Sequence, residues 1–357
     1  MTATLILENG AMFRGTAMGD PSERVCEMVF NTSMAGYQEV LTDPSYAGQG
    51  IVMTYPLIGN YGVNKEDEES SHPWAEAFVV RRLCRRGSNF RCEGDLDSYL
   101  REHHVTGLCD VDTRAITRML RGQGTMNGLI TTEEHFDLQQ KLELLKAYRV
   151  QGTVEKVTRP QAQTYGEGIP VALMDFGAKE NMVRSLVKRG CRVTVVPAHT
   201  TAEELLSGGY AGIMLSNGPG DPADCVQIIA QLRKLYDNAR IPIFGVCLGH
   251  QLMALATGAS SEKLKYGHRG GNHPVRDLKT GRVYITSQNH GYCIQAESVD
   301  PAVAEVSHVN VNDGTVEGLR YKNGRVFTVQ FHPEAAPGPQ DTAYLFDRFV
   351  SMLGGDR

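Results

Sequence analysis

The sequence predicts two α/β domains in one chain. Residues 1–150 read as a mixed, strand-rich α/β domain, and residues 169–357 as an open, mostly parallel sheet with helices on both faces, with a linker at 151–168. Three observations carry this. The length, 357 residues, suits two domains at roughly 100–200 residues each. The first 150 residues hold short apolar runs bounded by turn signals. From residue 171, apolar runs alternate with helix-periodic runs, which is the pattern of a parallel sheet covered on both faces.

In the first domain, strand candidates lie at 4–7, 51–55 and 77–83, separated by turn signals such as Glu8-Asn9-Gly10 and Asp43-Pro44. Helical periodicity appears at 97–103 and 112–121. The acidic run 66–69 reads as a solvated loop or helix face. The stretch 150–170 is polar and holds Gly152, Pro160, Gly166, Gly168 and Pro170, as a linker does. The second domain follows in order: a strand at 171–176, a helix at 179–189 stopped by Gly190, and a strand at 192–196. A short helix at 201–206 has Thr200 or Thr201 as its cap. Next come a strand at 211–216, a helix at 222–237, a strand at 241–246 and a helix at 248–257. Strands are also expected at 282–286 and 326–331.

Composition narrows the function classes. A 41% hydrophobic and 22% charged chain has material for two cores. No apolar run reaches the length of a membrane span, and residues 1–15 do not read as a signal peptide. The net charge of −5 argues against broad nucleic-acid binding. Eight cysteines show no C-x-x-C and no zinc spacing, so no metal site is expected and free thiols in a reducing cytoplasm are.

One cysteine stands out. Gly245-Val246-Cys247-Leu248-Gly249-His250-Gln251 lies where a strand passes into a helix. G-x-C-x-G is the thiol counterpart of the nucleophile elbow, whose crowded turn requires small residues two positions either side of the nucleophile. The helix N-terminus favours a thiolate, and the Leu248 N–H points to where an oxyanion would form. A buried structural cysteine in a glycine-flanked turn fits this pentapeptide equally well. A thiolate needs a base and an orienter. His332-Pro333-Glu334 follows the last strand and offers both. The H-x-E spacing is not that of a zinc deaminase, because no P-C-x-x-C follows. Ser216-Asn217-Gly218-Pro219-Gly220-Asp221-Pro222 follows the 211–216 strand, and Gly218 and Gly220 allow the close approach of a substrate-holding or oxyanion loop. It also fits a plain tight loop, and it is not a P-loop. Ser287–Tyr292 reads as a polar turn whose amides could contact a polar substrate.

Together, SNGPGDP at 216–222, GVCLGHQ at 245–251, NHG at 289–291 and FHPEA at 331–335 resemble the class I triad glutamine amidotransferase domain. The resemblance implies that Cys247 attacks the glutamine side-chain amide, with His332 as acid and base and Glu334 orienting it. A glutamyl thioester would form and be hydrolysed. It implies an oxyanion hole at Gly220 and Leu248, and glutamine contacts from Gln251, Asn289, Gly291 and Tyr292. EMVFNTSMAGYQEVLTDPSYAGQGIVMTYPLIGNYG at 27–62, DVDTRAITRMLRGQGTMNG at 110–128 and KYGHRGGNHPV at 265–275 extend it to the carbamoyl phosphate synthetase small subunit family. In that family Ser45 matches a glutamine-holding position. Tyr292 stands where many relatives have Phe.

The chain shows no recognisable ATP site, although carbamoyl phosphate synthesis needs two phosphoryl transfers. The resemblance therefore implies a large synthetase subunit that binds ATP and Mg²⁺, an ammonia tunnel, a heterodimer or higher assembly, and a product used for arginine or pyrimidine synthesis. This chain itself is expected to carry no cofactor. The rival readings are an amidotransferase subunit of another synthetase, a non-catalytic glutamine-binding scaffold, and a cysteine peptidase or amidase. The 150-residue first domain disfavours the first, the intact Cys247, His332 and Glu334 the second, and the SNGPGDP and NHG segments the third.

Overall fold

A computed structural model describes residues 1–354, and the chain forms two compact units that divide between Gln151 and Gly152. In the first unit seven strands close into a barrel, in the order Thr2–Leu7, Met12–Gly19, Thr106–Cys109, Ala77–Val79, Gln49–Met53, Arg24–Asn31, Met126–Thr131. Closure removes the free edges that an open sheet of this size would expose. Val29, Ile51, Met53 and Phe78 pack with Leu96 and Leu100 of the helix Leu96–Glu102. The Asp112 side chain caps the helix Thr113–Gln123 by accepting from Ala115 N–H at 3.0 Å.

Four of these strands, Met12–Gly19, Arg24–Asn31, Thr106–Cys109 and Met126–Thr131, are not evident in the sequence. In three of them, all but Arg24–Asn31, glycines obscure the alternation for a steric reason. A Cβ on Gly15 would lie 2.3 Å from the Cys109 carbonyl, and one on Gly107 would lie 2.5 Å from Met18 Cγ. The acidic run also departs from expectation. Glu66 is exposed, but Glu69 is buried and its N–H donates to Thr42 Oγ1 at 2.9 Å.

The second unit is a ten-stranded sheet flanked by helices. Five strands run parallel, in the order Cys191–Pro197, Ile169–Asp175, Gly212–Leu215, Ile243–Val246, Val326–Val329. The other five are antiparallel, so the sheet is half parallel rather than mostly parallel. Alternate residues of Ile169–Asp175 serve two cores. Val171 and Leu173 meet Met182, Leu186, Phe346 and Phe349, whereas Ala172 and Met174 meet Leu232, Leu235 and Leu252. Helices thus cover both faces, as the alternation of strands and helices predicts.

Two sequence readings are corrected here. The stretch 151–168 is not a linker: it holds the helix Thr153–Val157, with Val154 in the core, and the strand Gln163–Tyr165, paired to Cys191–Pro197. Its polar composition belongs to a solvent-exposed edge strand. Ser287–Tyr292 is not a turn. It continues a twelve-residue strand, Val283–Ile294, paired along Ser261–Asp277. Its polar side chains are buried against other polar groups, so no apolar alternation marks it. No helix among the described residues is long and apolar enough to cross a membrane.

The register brings the sequence segments together. Met174 pairs with Leu215, Leu215 with Gly245, and Val246 with Val329. The segments after these strands therefore leave the sheet at one carboxyl-terminal edge, where open α/β sheets build their sites.

Candidate active site

Cys247 occupies a strained turn between the strand Ile243–Val246 and the helix Leu248–Ala256, with φ 53° and ψ −106°. Positive φ in a non-glycine residue costs energy and persists only where the surroundings impose it. Here they do. Cys247 N–H donates to the Val329 carbonyl at 2.9 Å, and Gly249 N–H donates to the Ser216 carbonyl at 2.9 Å. A Cβ on Gly249 would lie 2.5 Å from the Leu215 carbonyl, and one on Gly245 would lie 2.8 Å from Thr328 Cγ2. Both elbow glycines are thus sterically required. Leu248 opens the helix, so its N–H has no intrahelical acceptor.

His332 stands beyond the strand Val326–Val329 and is buried. Its Nδ1 lies 2.7 Å from Glu334 Oε1. A carboxylate only accepts, so Nδ1 carries the proton and Nε2 is left as the basic atom. Nε2 is buried without a hydrogen-bond partner, and the Cys247 thiol is close enough to act on its charge. Burial alone would lower the proton affinity of His332, but the Glu334 carboxylate overrides it and raises that affinity. The arrangement suits an imidazole that takes the thiol proton. Cys247 Sγ faces the Asn289 carbonyl at 3.6 Å.

A fourth residue, absent from the sequence reading, completes the group. Lys179 Nζ lies 2.8 Å from Glu334 Oε1, and both side chains are almost wholly buried. It also donates to the Ala335 carbonyl at 2.5 Å, and its N–H donates to Asn217 Oδ1 at 3.2 Å. Burial pushes the Glu334 carboxyl up, but Lys179 and His332 outweigh it and hold it below the ordinary range. Lys179 precedes a helix and carries no motif. Its one signal is position, immediately after a strand end that feeds the site edge.

The remaining expected residues divide as follows. Gly218 lies against Phe176, whose carbonyl a Cβ would approach to 2.2 Å. Gly220 has φ 92°, and a Cβ there would meet Thr153 Oγ1 at 2.3 Å. Gln251 Nε2 donates to the Tyr292 carbonyl at 2.8 Å and to Gln330 Oε1 at 2.9 Å. The Ser287 carbonyl accepts from His332 N–H at 2.9 Å, so the strand carrying Asn289, Gly291 and Tyr292 is tied to the histidine. Ser45 belongs to the first unit. It lies buried in a short turn, with its N–H donating to Asp43 Oδ1 at 2.9 Å. All eight cysteines are free thiols.

Comparison with known proteins gives two family matches. Residues 172–352 match the class-I glutamine amidotransferase family, and residues 5–130 match the CPSase domain of the carbamoyl-phosphate synthase small chain. Among similar relatives, the carbamoyl phosphate synthase small chain of Symbiobacterium thermophilum is 51% identical, over 97% of this chain and 97% of that one. The protein of the same description from Clostridium perfringens is 51% identical over 98% and 99%. That from Bacillus caldolyticus is 48% identical over 99% and 97%.

Proposed function

Because the chain belongs to the carbamoyl phosphate synthase small-chain family, we propose that it hydrolyses L-glutamine and hands the ammonia to a large synthetase subunit that makes carbamoyl phosphate. The observation that carries the chemistry is Cys247 at a strained elbow beside a histidine whose other nitrogen is held by Glu334 at 2.7 Å.

The reaction we propose runs through Cys247 and His332. His332 Nε2 takes the thiol proton, and Sγ attacks the amide carbon of glutamine. The Leu248 and Gly220 N–H groups receive the oxyanion. His332 then returns the proton to the leaving nitrogen, so ammonia departs and a glutamyl thioester remains. Water, deprotonated by the same imidazole, attacks the thioester and frees glutamate. Glu334 keeps the Nδ1–H tautomer and supports the imidazolium, while Lys179 fixes the carboxylate. Gln251, Asn289, Gly291 and Tyr292 hold glutamine. The ammonia reaches the large subunit through a route shielded from bulk water, in a heterodimer or an assembly of heterodimers. ATP and Mg²⁺ belong to that partner.

Co-purification with the large subunit and assay with ATP and bicarbonate tests this. Cys247→Ser in the complex should abolish synthesis from glutamine and keep synthesis from added ammonia. Glutamine hydrolysis persisting in that variant would sink the nucleophile assignment.

A further inference from the structure

A second histidine–carboxylate group lies behind the strand that faces Cys247. His268 Nε2 is 2.7 Å from Asp313 Oδ2, and its Nδ1 is 3.5 Å from Glu317 Oε1. His268 and Glu317 are buried, whereas Asp313 is partly exposed. Across the sheet His268 pairs with His290, the rings meeting edge to face at 5.0 Å. His290 Nδ1 lies 2.7 Å from the Tyr292 carbonyl, and its Nε2 lies 3.0 Å from Gln288 Oε1, so both ring nitrogens face acceptor oxygens. The same Tyr292 carbonyl receives Gln251, and the preceding Asn289 carbonyl faces the Cys247 sulfur.

We propose that His268, held between Asp313 and Glu317, is a positioning residue for glutamine, acting through His290 on the backbone of residues 289–292. This rests on the glutaminase reading of the site. The two carboxylates keep His268 an imidazolium. Burial opposes that charge, but they outweigh it and push its pKa up to about 9. Burial first, and then the charges of His268 and Arg269, lower the proton affinity of His290. Held at both nitrogens, by the Tyr292 carbonyl and Gln288 Oε1, the His290 ring keeps a single orientation. That ring ties the strand segment whose carbonyls face the thiol and Gln251.

The facing groups are Arg269 and His273 on the strand of His268, His290 across the sheet, and Asp313 and Glu317 from the neighbouring hairpin. Charge bookkeeping favours a proton over a metal here, although the donor atoms of His268, His290 and Glu317 converge. Arg269 and protonated His268 balance Asp313 and Glu317. A divalent ion in place of the proton would leave an excess positive charge, and both nitrogens of His290 already have polar partners.

The test measures glutamine hydrolysis by the full chain in complex with its partner subunit. His268→Gln should raise the KM for glutamine about tenfold while kcat stays within about threefold, because the triad is untouched. Alkylation of Cys247 by iodoacetamide should keep its wild-type rate. Asp313→Asn should shift KM the same way by about threefold. A folded His268→Gln protein with wild-type KM overturns the proposal, as does a fall confined to kcat, or a stoichiometric metal ion in the purified wild type. Should His268→Gln fail to fold, Asp313→Asn decides by the same criterion. A wild-type complex that hydrolyses no glutamine overturns the functional reading, and this inference with it.

Discussion

The second unit contains two buried histidines, each 2.7 Å from a carboxylate oxygen, and they are set to different tasks. His332 has Glu334 on one nitrogen and the Cys247 thiol in reach of the other. His268 has Asp313 on one nitrogen and Glu317 beside the other. Both carboxylate pairs raise proton affinity against burial. What differs is the neighbour of the second nitrogen. A thiol there makes a proton-transfer group, and a second carboxylate makes a fixed cation. A pKa shift by itself therefore does not identify a catalytic histidine.

The largest break in this comparison comes at Glu334. Glu334→Gln should lower kcat for glutamine about 10²–10⁴-fold, since the amide no longer enforces the tautomer or supports the imidazolium. Steady-state hydrolysis measures it, and a loss under tenfold would remove Glu334 from the triad. Next is Lys179→Met. Breaking one side of a buried ion pair should cost about 3–5 kcal/mol, read from urea unfolding at fixed pH. A cost under 1 kcal/mol would mean that His332 alone satisfies Glu334.

His268 makes a pH prediction. Its folded pKa, about 9, lies above the unfolded value of about 6.5. Its stabilisation is thus complete below about pH 6.5 and is lost as pH rises through 9. His268→Gln should flatten that part of the stability profile, and identical slopes in the two proteins would refute the imidazolium. The smallest effect is expected at a surface pair of the same unit. Arg233 and Asp237 are half-exposed one helical turn apart, and Arg233→Ala should cost only about 0.3–0.5 kcal/mol, falling with salt.

Legibility in the sequence followed local constraint. The parallel strands and helices were readable because each strand is a continuous apolar run and each helix has its own period. The elbow was readable because backbone crowding confines small residues to fixed offsets from Cys247. His332 and Glu334 are two residues apart, so their pairing was local too. The barrel strand Met12–Gly19 was not readable, since Gly15 answers to Cys109 and Leu108 and Gly19 to Val105 and Leu100, all far along the chain. The strand at 287–292 carries no apolar alternation because its polar groups meet partners from other elements: the Ser287 hydroxyl donates to the Pro337 carbonyl, and Gln251 donates to the Tyr292 carbonyl.

From the sequence alone came the two-domain division, the candidate nucleophile Cys247 with its candidate partners His332 and Glu334, and the family. These are written in contiguous residues whose spacing a single turn or strand end dictates. Tertiary structure alone decided that Lys179 meets Glu334, that 152–168 is part of the second unit, and that His268 lies beside the strand of residues 289–292. Each of these depends on the meeting of charges or strands far apart in the chain. A buried charge is tolerable only where a partner meets it, and no local pattern records which partner will.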